Sequence, residues 1–227
     1  MLYICISKYK NDMITLGLSG SRYSGKTTAV EVFKRIGIPV FDADLILKFI
    51  LNHNHELLGD VRRELGSDIF INHQLNFRAL NKNTFDKVLD IVQDDLFNAY
   101  QKFNDKYERV GAIYTIFNSS ILFEREWDRK VDLSISVFAP EGDRLKRARY
   151  MTNEGLLNIR DRVKTEMDPL EKNEMADYII NNFNNGDVVG NIGLQPAKLP
   201  NLLKQINQID QKVIDEFIYK ESLLLCV

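Results

Sequence analysis

The run Gly20-Ser21-Arg22-Tyr23-Ser24-Gly25-Lys26-Thr27 fits GxxxxGK[ST] at every fixed position. Glycines let such a backbone curl until successive N–H groups point inward at phosphate oxygens. A helix starting near Thr27 aims the positive end of its dipole at the same anion. Lys26 has the reach and charge for β- and γ-phosphates, and the Thr27 hydroxyl suits Mg²⁺. Gly20 to Thr28 is therefore the candidate nucleotide-binding stretch; the competing reading is an ordinary Gly-rich turn between strand and helix. A second constellation is Phe41-Asp42-Ala43-Asp44. A carboxylate there could accept a hydroxyl proton during phosphoryl transfer. Either aspartate is also a good N-cap for a following helix, and for Asp42 capping is the favoured reading.

The surrounding sequence supplies elements to position these groups. Ile14–Leu18 is short, apolar and β-compatible. Thr28–Ile36 carries Val30, Phe33 and Ile36 at helical spacing and stops at Gly37. Ile38–Phe41 reads as a second buried strand, which completes strand, turn, helix, strand in about thirty residues, the βαβ length. Residues 43–104 read as mostly helical and more polar; Thr84–Phe103 spaces Val88, Ile91, Val92, Leu96, Tyr100 and Phe103 by threes and fours. Further strands are expected at Val110–Phe117, Leu133–Phe138 and Asp177–Ile180, with a short helix at Ile121–Trp127. Residues 141–176 are charged and helical in pattern, and Gly186 to Pro200 marks a long loop. Leu202, Ile206, Ile209, Val213 and Phe217 then form an amphipathic closing helix. Five short apolar strands separated by helices imply an α/β fold, a parallel sheet with helices on both faces. The polar stretches would lie over its carboxyl edge, where such sheets bind ligands.

Composition narrows the function classes. Thirty Lys and Arg against 32 Asp and Glu give a net charge of −2, which argues against nucleic-acid binding through bulk charge. An apolar fraction of 44 % is that of a globular chain and excludes disorder throughout. The two cysteines, Cys5 and Cys226, lie near opposite ends with no metal-ligand spacing, so a reducing compartment is expected. No apolar run approaches a membrane span. The expected setting is cytoplasmic, with small-molecule partners, no nucleic acid and no membrane. Met1–Asp12 reads as an extension outside the fold. The histidines of Asn52-His53-Asn54-His55 are two apart and do not share a helix face, so a metal reading is set aside. Arg144, Lys146, Arg147 and Arg149 favour a phosphate clamp over a solvated charged face. Phe117, Phe123 and Trp127 are expected in the core.

Leu18-Ser19-Gly20 through Thr27, followed by Ile38-Pro39-Val40-Phe41-Asp42-Ala43-Asp44, resembles the dephospho-coenzyme A kinase family. The resemblance continues in Ile121-Leu122-Phe123-Glu124, Val131-Asp132, Ala139-Pro140-Glu141 and Leu145-Lys146-Arg147. It returns in Met167, Glu171-Lys172 and Ala176-Asp177-Tyr178-Ile179-Ile180, ending at Asn182. It implies a single three-layer P-loop NTPase domain whose core is about 13–44, 108–140 and 177–227. A helical substrate region at about 45–107 and a lid at about 141–176 complete it. It further implies phosphorylation of the ribose 3′-hydroxyl of dephospho-CoA with ATP and Mg²⁺. In that scheme Lys26, Asp44 and Arg147 are catalytic, with Asp44 as base and Arg147 a lid arginine facing phosphates. The nucleotide is held by Gly20, Ser21, Arg22, Tyr23, Ser24, Gly25, Lys26, Thr27, Thr28 and Asn182, and the metal by Thr27. Several positions depart from the family pattern: Gln93-Asp94-Asp95, Asn118, Ser120, Met151 and Glu166, together with the large Arg22 and Tyr23 inside the loop. A nucleoside monophosphate kinase of the same fold, or a non-catalytic nucleotide-binding protein, are the alternatives.

Overall fold

The structure, a computed structural model, describes residues 13–152, 159, 166–183 and 199–224. The Met1–Asp12 extension, both cysteines and most of the loop from Gly186 to Pro200 lie outside the described residues. The chain divides into two compact units, one of Met1–Val40 with Tyr107–Val227, the other of Phe41–Lys106.

The first unit is built on β1 (Ile14–Ser19), which runs into the Gly-rich loop and α1 (Lys26–Arg35). Gly37, at φ 91°, turns the chain after α1 toward β2 (Val40–Asp42). The second unit holds α2 (Ala43–His53), α3 (His55–Leu65), a hairpin of β3 (Phe70–Ile71) and β4 (Gln74–Leu75), and most of α4 (Lys82–Arg109). The chain returns to the first unit for β5 (Tyr114–Asn118), β6 (Leu133–Phe138), α5 (Glu141–Met151), α6 (Pro169–Met175), β7 (Tyr178–Asn181) and α7 (Leu199–Leu224). The sheet order is β2-β5-β1-β6-β7, and the pairs β1–β5, β1–β6 and β6–β7 are all parallel. The α/β class and the five-stranded parallel sheet agree with the sequence pattern.

Alternation along β1 separates two layers. Ile14, Leu16 and Leu18 pack with Val30 and Phe33 of α1 and with Leu202, Ile206, Ile209 and Val213 of α7. On the other face Gly17 leaves room for Leu122 and Val131: a Cβ there would stand 2.7 Å from Leu122 Cδ2. Phe117 and Trp127 meet edge to face on this side, and Phe117, Phe123 and Trp127 are buried as expected. Polar ties close the layer. Asp132 accepts from the N–H and hydroxyl of Thr15 at 2.7 and 2.8 Å. Asp177 accepts from the N–H and hydroxyl of Ser134 at 2.7 and 2.8 Å, and the Ser136 hydroxyl donates to Asn173 of α6.

Two local expectations are corrected. Ile121–Trp127 is not a regular helix: its backbone bonds span three, four and five residues, and Glu126 enters the left-handed region at φ 53°. The β3–β4 hairpin interrupts a stretch read as helical. Its turn residues Asn72 and His73, at φ 49° and 65°, have the tight-hairpin backbone without the glycine that announces it. In the second unit α4 buries Val88, Leu89, Val92, Leu96 and Tyr100 along one stripe, and Phe41 meets Tyr100 and Phe103 ring to ring. Asn54 caps α3 by accepting from the N–H groups of Glu56 and Leu57. No helix among the described residues is long and apolar enough to cross a membrane.

One bond fastens α7 to the start of β5: the Tyr114 hydroxyl donates to Asp210 Oδ1 at 2.6 Å. Burial first, and the Asp210 carboxylate second, push the Tyr114 pKa well above the ordinary phenol value, so the proton stays in place. Tyr114→Phe leaves Asp210 without this donor and should lower unfolding stability by about 1–3 kcal/mol. The midpoint of urea unfolding at neutral pH measures this; an unchanged midpoint would show that this bond adds nothing to the hold on α7.

Candidate active site

The glycines at both ends of the loop are required by close approach. A Cβ on Gly20 would lie 2.8 Å from the Val137 carbonyl and 2.7 Å from Ser24 Oγ. Gly25 stands at φ 95° as the N-cap of α1, and a Cβ there would fall 1.9 Å from Asn182 Nδ2. Between them the Ser24 N–H donates to the Ser21 carbonyl at 3.0 Å. Thr28 and Ala29 donate to the Gly25 carbonyl and start α1.

The loop is held by its carbonyls. Arg147 Nη1 donates to the carbonyls of Tyr23 and Ser24 at 2.9 and 2.8 Å, and Nη2 donates to the carbonyl of Asn182. Asn182 Nδ2 donates to the Ser24 carbonyl at 2.8 Å, and Arg144 Nη1 approaches the Arg22 carbonyl at 3.5 Å. A trans peptide sets C=O and N–H on opposite sides, and the described chain has no cis bonds. Fixing the carbonyl of Ser24 on the outer side therefore turns the N–H of Gly25 inward, while the Ser24 N–H is held by the Ser21 carbonyl. An amide so directed at the N-terminus of α1 is a donor for an anion.

The four cations expected to form a phosphate clamp do not act together. Arg144, 3 % exposed, and half-buried Arg147 face the loop one helical turn apart on α5. Lys146 and Arg149 are exposed. Burial lowers both arginine pKa values; Glu166, Glu141 and Asp168 oppose this at Arg144, and Asp143 at Arg147. Both remain guanidinium ions at neutral pH. Arg147 places three hydrogen bonds on backbone carbonyls and so shapes the loop.

Among the other expected site residues, Ser21 and Ser24 are buried, Tyr23, Lys26, Thr28 and Asn182 are half-buried, and Arg22 and Thr27 are exposed. Asp44 belongs to the second unit, in the first turn of α2 and two residues beyond β2. Asp42 caps that helix, accepting from the Leu45 N–H at 3.0 Å, as its sequence position indicated. The hydroxyls of Ser19, Ser21 and Ser24 and Asn118 Oδ1 are buried with no hydrogen-bond partner. They gather at the loop and at the ends of β1 and β5, where Leu18 stands in register with Asn118. Neutral hydroxyl and amide oxygens, with the exposed Thr27 hydroxyl, are a donor set that fits a hard divalent cation.

Two ion pairs at the site had no sequence signal that marked them as partners. Lys172 on α6, 1 % exposed, pairs with Glu124 at 2.6 Å and donates to the Ser120 carbonyl at 3.1 Å, holding the chain where it leaves β5. A lysine in a charged helix reads as solvated, and only the fold buries it. Glu166, largely buried, pairs with the exposed Arg22 at 2.7 Å.

Gly25→Ala puts a Cβ into both the left-handed backbone and the Asn182 amide. Nucleotide affinity should fall by at least about tenfold, the scale of losing one charge-assisted hydrogen bond with its geometry. Titration calorimetry with ADP on a variant of unchanged far-ultraviolet dichroism measures this; wild-type affinity would show that the loop tolerates a different path.

The family model for CoaE, dephospho-CoA kinase, matches residues 14–187. The dephospho-CoA kinase of Salinibacter ruber is 27 % identical over 177 residues, 75 % of this chain and 89 % of that protein. Among solved structures, TT1252 from Thermus thermophilus superposes with a TM-score of 0.69 at 19 % identity, over 88 % of this chain and 97 % of that one. The dephospho-CoA kinase of Campylobacter jejuni superposes with a TM-score of 0.58 at 17 % identity, over 87 % and 98 %. The two structures share the fold, and the family match runs from the first residue of β1 to beyond Asn182. A phosphate loop shaped from outside by Arg147 and Asn182 lies wholly inside that match, and the chain belongs to the dephospho-CoA kinase family.

Proposed function

We propose that the protein transfers the γ-phosphoryl group of ATP to the ribose 3′-hydroxyl of dephospho-CoA, in the cytoplasm, with small molecules as its reaction partners. The observation that carries this is the carbonyl-anchored loop within the family match. The Gly25 amide turned inward by those bonds binds phosphate, and the N-terminus of α1 adds its dipole. Lys26, the first residue of α1, neutralises charge on the transferred group. Thr27, with Asn118 beside β1, would hold Mg²⁺, which supplies charge neutralisation on the phosphate oxygens. Asp44 orients the acceptor hydroxyl and takes its proton late in the step, as the new O–P bond forms and the bond to ADP breaks. Support for Asp44 is its position just past β2 and its match to the family's base.

Lys26→Ala should cut kcat by at least roughly 100-fold, the scale of losing one preorganised electrostatic donor. An ADP-release assay with verified Mg·ATP checks this, and near-wild-type turnover would remove the loop from the chemistry. Asp44→Asn keeps the shape but cannot take a proton, so kcat should fall by roughly 100- to 10,000-fold with little change in ATP affinity. Full activity on dephospho-CoA would place the base elsewhere. Across a panel of acceptors, dephospho-CoA should turn over best; turnover confined to nucleoside monophosphates would overturn the acceptor assignment.

A further inference from the structure

Arg22 and Tyr23 occupy variable positions of the loop, where the phosphate-binding pattern demands no particular side chain. Both are engaged by residues that follow the loop by more than a hundred positions. Glu166 accepts from the Arg22 N–H through Oε2 at 2.9 Å, and its Oε1 lies 2.7 Å from Arg22 Nε. The carboxylate therefore grips the backbone and the side chain of one residue. Arg144, buried one turn before Arg147, stands 3.8 Å from Glu166 Oε2. Beside this, Tyr23 packs with Leu145, Ala148 and Ile159. Tyr23 itself is at φ 63°, a left-handed conformation that a bulky residue keeps only when its surroundings hold it. Glu166 is 16 % exposed, so its charge is poorly screened, whereas the Arg22 side chain is 54 % exposed.

From this geometry we infer that Glu166 and Arg22 are positioning residues of the phosphate loop: their ion pair locks the loop tip, and so sets nucleotide affinity without touching the nucleotide. The peptide that follows Arg22 has its carbonyl directed at Arg144, and the next two carbonyls are held by Arg147 and Asn182. Glu166 fixes the peptide before Arg22. The tip is thus constrained on both sides of the left-handed Tyr23. Releasing Glu166 lets Tyr23 relax out of that conformation, and the inward amide of Gly25 loses its direction. Ground-state and transition-state phosphate binding would weaken together. That signature is a raised KM for ATP with kcat unchanged.

The inference rests on the loop's being the nucleotide site, so the experiment begins with ADP binding to the wild-type chain by calorimetry. Glu166→Ala should weaken ADP binding, and raise the KM for ATP, by roughly 10- to 100-fold, the range for a hydrogen bond to a charged group. The acceptor KM and kcat at saturating ATP should hold. Glu166→Gln keeps an acceptor for the Arg22 N–H and should recover part of the loss. Arg22→Ala combined with Glu166→Ala should be no worse than Glu166→Ala alone, since the two act through one contact. Additive effects, or a fall in kcat with affinity intact, would overturn the inference while leaving the active site in place. Lack of ADP binding by the wild-type chain would instead overturn the site reading, and the inference with it. Should Glu166→Ala not fold, Glu166→Gln and Arg22→Ala carry the same test, and wild-type affinity in both would refute it.

Discussion

The site depends on bonds made to the wrong side of the phosphate loop. A loop that presents its N–H groups to an anion must turn its carbonyls away, and those carbonyls then need donors. Arg147 and Asn182 supply them for Tyr23 and Ser24. Without donors, the same peptides would gain by rotating their carbonyls toward water and taking the amides with them. The anchoring also explains why two elements distant in sequence, α5 and the residue after β7, must converge here. A second consequence is that Gly25 cannot vary, because the amide of Asn182 fills the space of a side chain.

The rear face of the sheet is fastened by short polar contacts as well as apolar ones. Asp132 and Asp177 each bind an N–H and a hydroxyl of a single strand residue, Thr15 and Ser134. Such pairs fix strand register more sharply than interchangeable apolar contacts do, since a shift of one residue would strand both the carboxylate and its donors. Lys172 does comparable work at the exit of β5. Its burial is tolerable because the ammonium meets a carboxylate and a carbonyl at once. These contacts fix the starts of β1 and β6 and the exit of β5.

Much of this was legible in the sequence. The five sheet strands were recognisable because each is a short apolar run bounded by polar or Gly-rich chain, and a parallel sheet buries such runs on both faces. The loop was recognisable because its glycines answer to contacts that leave no alternative residue. Legibility failed where the determinant is distant. The Asn72-His73 turn has hairpin geometry without turn chemistry, so its neighbours read as helix. The loop carbonyls that Arg147 meets were not legible either, because its chemistry suits phosphate oxygens and carbonyl oxygens alike. Only the approach of α5 shows which ones it meets. The pairings of Lys172 with Glu124 and of Glu166 with Arg22 were not legible because which charges meet is decided by tertiary contacts, not by neighbours in sequence. Asp44 was placed by family likeness, and its local role beside the capping Asp42 follows from the helix that both begin.

The place of β1 in the sheet bears on how the chain acquires its structure. Among the described residues β1 is the first strand and the central one of its sheet, and both its partners come much later: Ile14 pairs with Tyr114, and Leu16 with Leu133. The Gly-rich loop is thus made about a hundred residues before the strands that hold it in place, and its arginine and asparagine anchors emerge later still. Pairings of this sequence separation form slowly, because a long loop must close before any contact rewards it. During synthesis the emerging chain carries an apolar strand and an unshaped phosphate loop through the whole of residues 41–106. It is in this interval, rather than in the finished enzyme, that Ile14, Leu16 and Leu18 are most open to mispairing and to capture by chaperones.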